Sequence, residues 1–179
     1  MKKGSNKSFQ KKLKLILWFL LRFNLLAIPL YLAIYSNFSF QPLQTLFAQM
    51  TAGILKAQGY VVQQSNQILT IPAGNTIYSI DVSWDSTGWK SLYALAALVL
   101  AVPASNLNKK LRFLAIGLPA IFILNLLRIA TTILIALNFG FQYFDIVHTV
   151  LWREGLIIAV VALWYLWLRK ERVIKYYIR

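Results

Sequence analysis

Three short stretches of this chain hold side chains able to do chemistry near neutral pH. The first is Asn125-Leu126-Leu127-Arg128, inside a long apolar run, with Thr132 four residues beyond the arginine. A charged group inside a spanning helix costs about 2.5–3.5 kcal/mol on insertion scales, so it faces protein or a wet cavity rather than lipid. At helical spacing Asn125 and Thr132 share the face of Arg128 and make a polar stripe. Such a stripe has two readings. It is glue between helices, satisfied by backbone carbonyls, or it is a clamp whose guanidinium holds a carboxylate or steadies a developing oxyanion. The second stretch centres on His148, the only histidine. Its ordinary pKa of about 6.5 suits general acid and base work, and Asp145, three residues earlier, would orient it if a helix has begun there. A lone histidine at an interface also serves structure alone. The third stretch is Asp81 to Ser91, with Ser86-Thr87-Gly88 at its centre. Gly88 permits a sharp strand-to-helix turn, and a hydroxyl before it would stand at a helix N-terminus, where amide N–H groups favour negative charge. Taken alone, Ser86-Thr87 reads as a helix cap.

The elements that must position these residues are spanning helices. Hydropathy places them at 13–35, 89–104, 111–139 and 149–168. The second is short for a bilayer, and the third is long enough that it must tilt, kink at Pro119 or project above the membrane. Lys2, Lys3, Lys7, Lys11, Lys12 and Lys14 precede the first span, Lys109, Lys110 and Arg112 lie between the second and third, and Arg169, Lys170, Arg172, Lys175 and Arg179 follow the fourth. Four crossings put all of these blocks on one side and leave only Lys56, Asp81, Asp85, Lys90 and Asp145 on the other. By the positive-inside rule, both termini are cytoplasmic in a multi-pass protein of the cytoplasmic membrane. The expected fold is thus an α-helical integral membrane protein of about four spans, one domain over 1–179, with basic tails at 1–12 and 169–179. The external segment, 36–88, holds Leu43, Leu46, Phe47, Met50 and Ile54 at helical spacing, which suggests a helix lying on the membrane surface. After Gly59 the pattern becomes a β-hairpin: Ile68–Ile71, a turn at Pro72-Ala73-Gly74-Asn75, and Thr76–Val82 with Tyr78, Ile80 and Val82 on one face.

Composition narrows the classes further. At 59% hydrophobic residues the chain is too apolar for a soluble domain. Its net charge of +14 sits in blocks between apolar runs, not on one face of a soluble fold, and this argues against nucleic acid and for membrane lipid as the partner of the bases. The basic N-terminus lacks a small-residue cleavage site after a short apolar core and reads as an uncleaved span. With no cysteine there is no disulfide, thiolate site or cysteine nucleophile. One histidine and scattered carboxylates offer no metal ligand cluster, so neither metal nor other cofactor is expected.

On the four-span topology Ser86, Arg128 and His148 lie at similar depth on the outer side and describe one pocket. With these motifs, in this order, the chain resembles the exosortase/archaeosortase family of multispanning membrane proteins. That family's pattern is a cysteine followed by Thr-Gly before a spanning helix, an arginine three residues after an asparagine, and a histidine opening a further helix. Here the corresponding residues are Ser86-Thr87-Gly88, Asn125-Leu126-Leu127-Arg128 and His148, and the resemblance runs from about Gln67 to Leu168. It implies a transpeptidase that cuts C-terminal sorting signals of exported proteins, with Ser86, Arg128 and His148 as catalytic residues and Thr87, Gly88, Asn125 and Asp145 in support. The partner it implies is the C-terminal tail of an exported protein. Ser86 departs from the pattern by standing where the family has its cysteine. A hydroxyl needs an adjacent base that a thiolate does not. Either His148 activates Ser86, or the chain keeps the pocket and serves as a non-catalytic binding or scaffold protein of an export system. A small anion-binding transporter or assembly factor built on Arg128 is the remaining alternative.

Overall fold

The computed structural model describes residues 3–74, 76–103, 105–149 and 154–171, with only the backbone described for 3–8, 141, 145, 148 and 149. The described elements run α1 (Lys3–Tyr35), α2 (Gln41–Ala57), β1 (Gln63–Ser65), β2 (Ile68–Ala73), β3 (Thr76–Asp81), α3 (Trp89–Ala101), α4 (Leu107–Phe139), α5 (Phe144–Thr149) and α6 (Leu156–Lys170). Two helical stretches, Phe9–Tyr35 and Leu107–Phe139, are long and apolar enough to cross a membrane. α3, at 13 residues, reaches about 20 Å at 1.5 Å per residue, and the described 15 residues of α6 reach about 22 Å, with Glu154 and Gly155 also helical ahead of them.

The helices pack into a bundle with α3 touching α1, α4 and α6. Leu95, Val99, Ile121, Leu156, Val160 and Trp167 form its buried core, and Phe19 of α1 packs against them. The Tyr93 hydroxyl donates to the Leu26 carbonyl at 2.6 Å and ties α3 to α1. Where α3 passes α4, a Cβ on Gly117 would lie 3.2 Å from Leu95 Cδ2, so the small residue sets the close approach. At the far end of the bundle, Lys110 Nζ donates to the Leu100 carbonyl at 2.8 Å and caps the last turn of α3. Lys109 pairs with Glu171 at 2.6 Å, so the start of α4 lies beside the end of α6.

At 33 residues α4 is about 50 Å long, against about 30 Å of bilayer hydrocarbon. A second core covers its last third. Leu126, Ile129 and Ile133 pack with Phe47, Ala48, Ala52 and Leu55 of α2 and with Leu69, Ile71 and Val82 of the strand region. The sheet is antiparallel in the order β1-β2-β3, with Leu69 opposite Ile80 and Ile71 opposite Tyr78. Alternation along β3 leaves Tyr78 and Ile80 partly covered and Thr76, Ile77, Ser79 and Asp81 exposed, as the sequence pattern requires.

Several boundaries differ from the sequence reading. The strand β1 is an addition: its three residues, Gln63–Ser65, are all exposed and polar, and Asn66 at φ +52° makes the tight turn into β2. Pro72 belongs to β2, paired with Ile77, and not to the turn. β1 covers β2 only as far as Thr70, so Pro72 sits at an open edge where proline is tolerated. In α2 the apolar stripe splits: Phe47 is fully buried with Gln44, Ala48, Thr51 and Leu55, while Leu46 and Met50 stay exposed. This helix therefore has a protein-facing side made largely of small and polar residues. The basic N-terminal stretch continues α1 from Lys3, and α4 starts at Leu107 under an Asn106 cap whose side chain accepts from Asn108 N at 3.3 Å. Of the stretch expected to span 149–168, Thr149 belongs to α5 and α6 runs from Leu156, with Glu154 and Gly155 also helical ahead of it; 150–153 lie outside the described residues.

Candidate active site

The site is built where β3 hands the chain to α3. As the chain leaves the sheet, Val82 N donates to the Gln67 carbonyl at 3.0 Å, and Gln44 of α2 donates to the Val82 carbonyl at 3.3 Å. The next residues close a 3-10 turn, Asp85–Thr87, with Ser86 N donating to the Ser83 carbonyl at 3.0 Å. Gly88 follows at φ +70°, a left-handed conformation that only glycine adopts without strain. From there α3 starts at once with Trp89.

Neither hydroxyl of Ser86-Thr87 caps α3, contrary to the simpler sequence reading. Thr87 Oγ1 points back and donates to the Trp84 carbonyl at 2.8 Å. Ser86 Oγ lies 2.9 Å from Ser83 Oγ. The Ser86 hydroxyl therefore has a hydroxyl partner three residues earlier, within reach only because the turn is tight.

Asn125 Nδ2 and Arg128 Nη2 both donate to the carbonyl oxygen of Ser86, at 3.0 Å and 2.9 Å. These two residues of α4 grip the backbone of the turn from the side. Asn125 is 1% exposed and Arg128 7%, so both contacts are shielded from water. The Arg128 bond is also charge-assisted, which makes it the stronger of the two. The polar stripe expected from helical spacing is thus present and faces protein, with Thr132 buried as well and its hydroxyl donating to the Arg128 carbonyl at 2.9 Å. Gly88 fits against the same asparagine: a Cβ there would lie 2.8 Å from Asn125 Cγ. Ser86, Thr87, Gly88, Asn125 and Arg128 are in this way one unit.

A cleft of about 190 Å³ opens beside the turn, lined by Ser83, Ser86, Thr132 and Asp81 on its polar side and by Ile80, Ile129, Ile133 and Phe144 on its apolar side. Phe144 belongs to α5, so that helix borders the cleft that Ser86 opens into. His148 stands one turn further along α5, and Asp145 next to Phe144; the side chains of both lie outside the described residues. On the other flank of the turn Trp84 stacks on Trp89 with ring centroids 5.2 Å apart, and Phe38 meets Trp84 edge-on at 6.0 Å. Asp85 and Lys90 form an exposed ion pair at 2.8 Å. Of these neighbours, Ser83 and the tryptophan stack carry no motif of their own. Ser83 was legible only as a hydroxyl at the i−3 position of a turn. Among the described residues no three His, Cys, Asp or Glu side chains gather as a metal site would need.

A family model described as transmembrane exosortase (Exosortase_EpsH) matches residues 8–168. The chain belongs to the transmembrane exosortase family. No curated protein and no solved structure matches it. Exosortase membership supports a membrane location and, in general terms, a transpeptidase-like sorting role. The matched range takes in most of α1, all of α2 and nearly all of α3 to α6, so in this exosortase the turn holding Ser86 and the cap over α4, formed by α2 and the three-stranded sheet, fall within it.

Proposed function

We propose that this exosortase is a membrane protease or transpeptidase that processes the C-terminal sorting segment of an exported protein at the outer face of the cytoplasmic membrane. Ser86 is the nucleophile, His148 the general base and acid, and Arg128 the group that steadies the oxyanion. Thr87, Gly88 and Asn125 shape the turn, and Asp145 orients His148. The observation that carries this reading is the double grip of Asn125 and Arg128 on the Ser86 carbonyl, which pins the backbone of one residue whose hydroxyl opens into a cleft.

In the reaction, Ser86 Oγ attacks the scissile carbonyl carbon as its proton passes to His148, and the carbonyl oxygen becomes an oxyanion. Collapse breaks the C–N bond, His148 returns the proton to the leaving amine, and an acyl ester remains on Ser86. An incoming amine, or water, reverses these proton movements and releases the acyl group. Arg128 lies beside the carbonyl of the attacking residue, and a guanidinium carries five N–H donors in a fixed fork. Holding the turn and stabilising a nearby negative charge are therefore compatible tasks for one side chain.

Four crossings by α1, α3, α4 and α6, with both termini cytoplasmic, supply the outer location. The Lys109–Glu171 pair supports this arrangement by bringing two of the basic blocks to one end of the bundle, opposite the turn that holds Ser86.

A second reading, a sortase-like binding protein, is favoured by one observation: the hydroxyl partner of Ser86 is Ser83, which is no base at neutral pH. The deciding experiment follows cleavage of a co-expressed exported protein with a C-terminal spanning segment. Wild type and Ser86→Cys should cleave it, and Ser86→Ala should not. Full processing by Ser86→Ala together with its loss in Arg128→Ala would remove the nucleophile and leave the binding role.

A further inference from the structure

The largest cleft among those described lies at the opposite end of the bundle from Ser86, between the start of α4 and the end of α6. It measures about 470 Å³. Lys109, Arg112 and Lys170 stand at its rim, and Ile116, Leu166 and Trp167 are among its walls. Trp167 is packed flat against Phe113, with ring centroids 5.4 Å apart, and this gives the slot a rigid floor. Ile116 is 73% exposed and Leu166 56%, so the apolar walls run out onto the outside of the bundle.

Charge at this rim is unbalanced. Glu171 is the one carboxylate lining the cleft, and it is taken by Lys109 at 2.6 Å. Among the described residues neither Arg112 nor Lys170 has an ion pair. The sequence offers no further acid nearby: of its five acidic residues, Asp81, Asp85 and Asp145 belong to the Ser86 end, Glu154 precedes α6, and the tail after Glu171 adds Arg172, Lys175 and Arg179. A slot with apolar walls and an unneutralised cationic rim, on helices that face lipid, matches one kind of molecule. It has a negatively charged headgroup joined to a hydrocarbon chain.

We infer that this slot binds an anionic phospholipid, its phosphate held by Arg112 and Lys170 and its acyl chain laid along Ile116 and Leu166. A guanidinium grips phosphate bidentately, and Lys170 adds a point charge. Basic pockets between spanning helices are suited to such headgroups. A soluble phosphate would use the rim but none of the walls. The inference concerns a surface remote from Ser86 and stands whether or not Ser86 is a nucleophile.

The test uses the full chain in mild detergent, loaded with mixed micelles of phosphatidylglycerol or of phosphatidylcholine, and counts retained lipid by native mass spectrometry. Phosphatidylglycerol should be retained in preference to phosphatidylcholine. Arg112→Gln with Lys170→Gln should weaken its retention about thirtyfold, a factor of about five per cation. Leu166→Trp should also expel it while leaving every charge in place. Arg112→Lys with Lys170→Arg, which keeps the charge, should retain the preference and shows that the surface tolerates change. Equal retention of the two lipids, or an undiminished preference in the double glutamine variant, would overturn the inference. Displacement of phosphatidylglycerol by millimolar inorganic phosphate would also overturn it, because the site would then be a plain anion site with no role for the walls.

Discussion

Replacing Gly88 by alanine tests whether the turn and α4 form one unit. The substitution has two separable costs. Gly88 sits at φ +70°, and an L-residue pays roughly 1–2 kcal/mol to adopt that conformation. The new Cβ would also lie 2.8 Å from Asn125 Cγ, 3.0 Å from Oδ1 and 3.1 Å from Nδ2. Real Cβ atoms essentially never approach to 2.8 Å, so the amide must move. Asn125 is 1% exposed, so it cannot swing into water, and moving it breaks its hydrogen bond to the Ser86 carbonyl. Loss of that buried bond costs about 1–3 kcal/mol. The sum is about 2–5 kcal/mol for Gly88→Ala in the wild-type background. In an Asn125→Ala background every atom that the new Cβ would strike is gone, and only the conformational part, about 1–2 kcal/mol, should remain. Unfolding of the two single variants and the double variant in detergent, followed by circular dichroism against denaturant, gives the coupling directly. A coupling of about 1–3 kcal/mol is expected. If Gly88→Ala costs the same in both backgrounds to within about 0.5 kcal/mol, the close approach to Asn125 is not what requires glycine.

Two further substitutions probe the cap and the bundle separately. Ile71 is fully buried in the cap core, so Ile71→Ala should destabilise the cap by about 2–5 kcal/mol and speed proteolytic nicking within residues 36–88, with the bundle helices still protected. Tyr93→Phe removes the 2.6 Å bond to the Leu26 carbonyl between α1 and α3 and should lower stability by only about 0.6–1 kcal/mol, seen as a small fall in melting temperature in detergent.

The site was more legible in the sequence than the cap was, for physical reasons. Arg128 announces itself because a guanidinium in an apolar run is costly, and helical geometry alone then assigns Asn125 and Thr132 to its face. The structure buries all three. Gly88 was readable as a turn because the residue after it starts an apolar run. What spacing could not supply was the contact between them, since Ser86 and Arg128 are 42 residues apart. The cap hid for the opposite reason. Its α2 face buries Gln44, Ala48, Thr51 and Ala52 beside Phe47, residues that no hydropathy scale marks as a core. Leu46 and Met50, which do look like a core, are exposed. Small side chains there let the helix approach the sheet and α4, a matter of fit that periodicity does not encode. Strand β1, with Gln63, Gln64 and Ser65 all exposed, carries no alternation to detect.

The serine at position 86 changes what the rest of the site must provide. A cysteine there would reach its thiolate near neutrality, with little help. A hydroxyl nucleophile has to lose its proton during attack, so something must receive that proton, and something must hold Oγ for attack while negative charge grows on the substrate's carbonyl oxygen. The second need has local answers. Ser83 Oγ, 2.9 Å away, can donate to Ser86 Oγ and fix its direction, and Arg128 places a buried positive charge on the same residue's backbone. Neither group can take a proton from serine at neutral pH, because one is a hydroxyl and the other a guanidinium. The first need therefore falls to another group bordering the cleft, which is lined by Asp81 and, from α5, by Phe144. On the proposed reading it falls on His148, one turn along that helix. A binding protein would keep the grip on the turn and the cleft and would have no use for a base there. The two readings thus differ by a single proton acceptor.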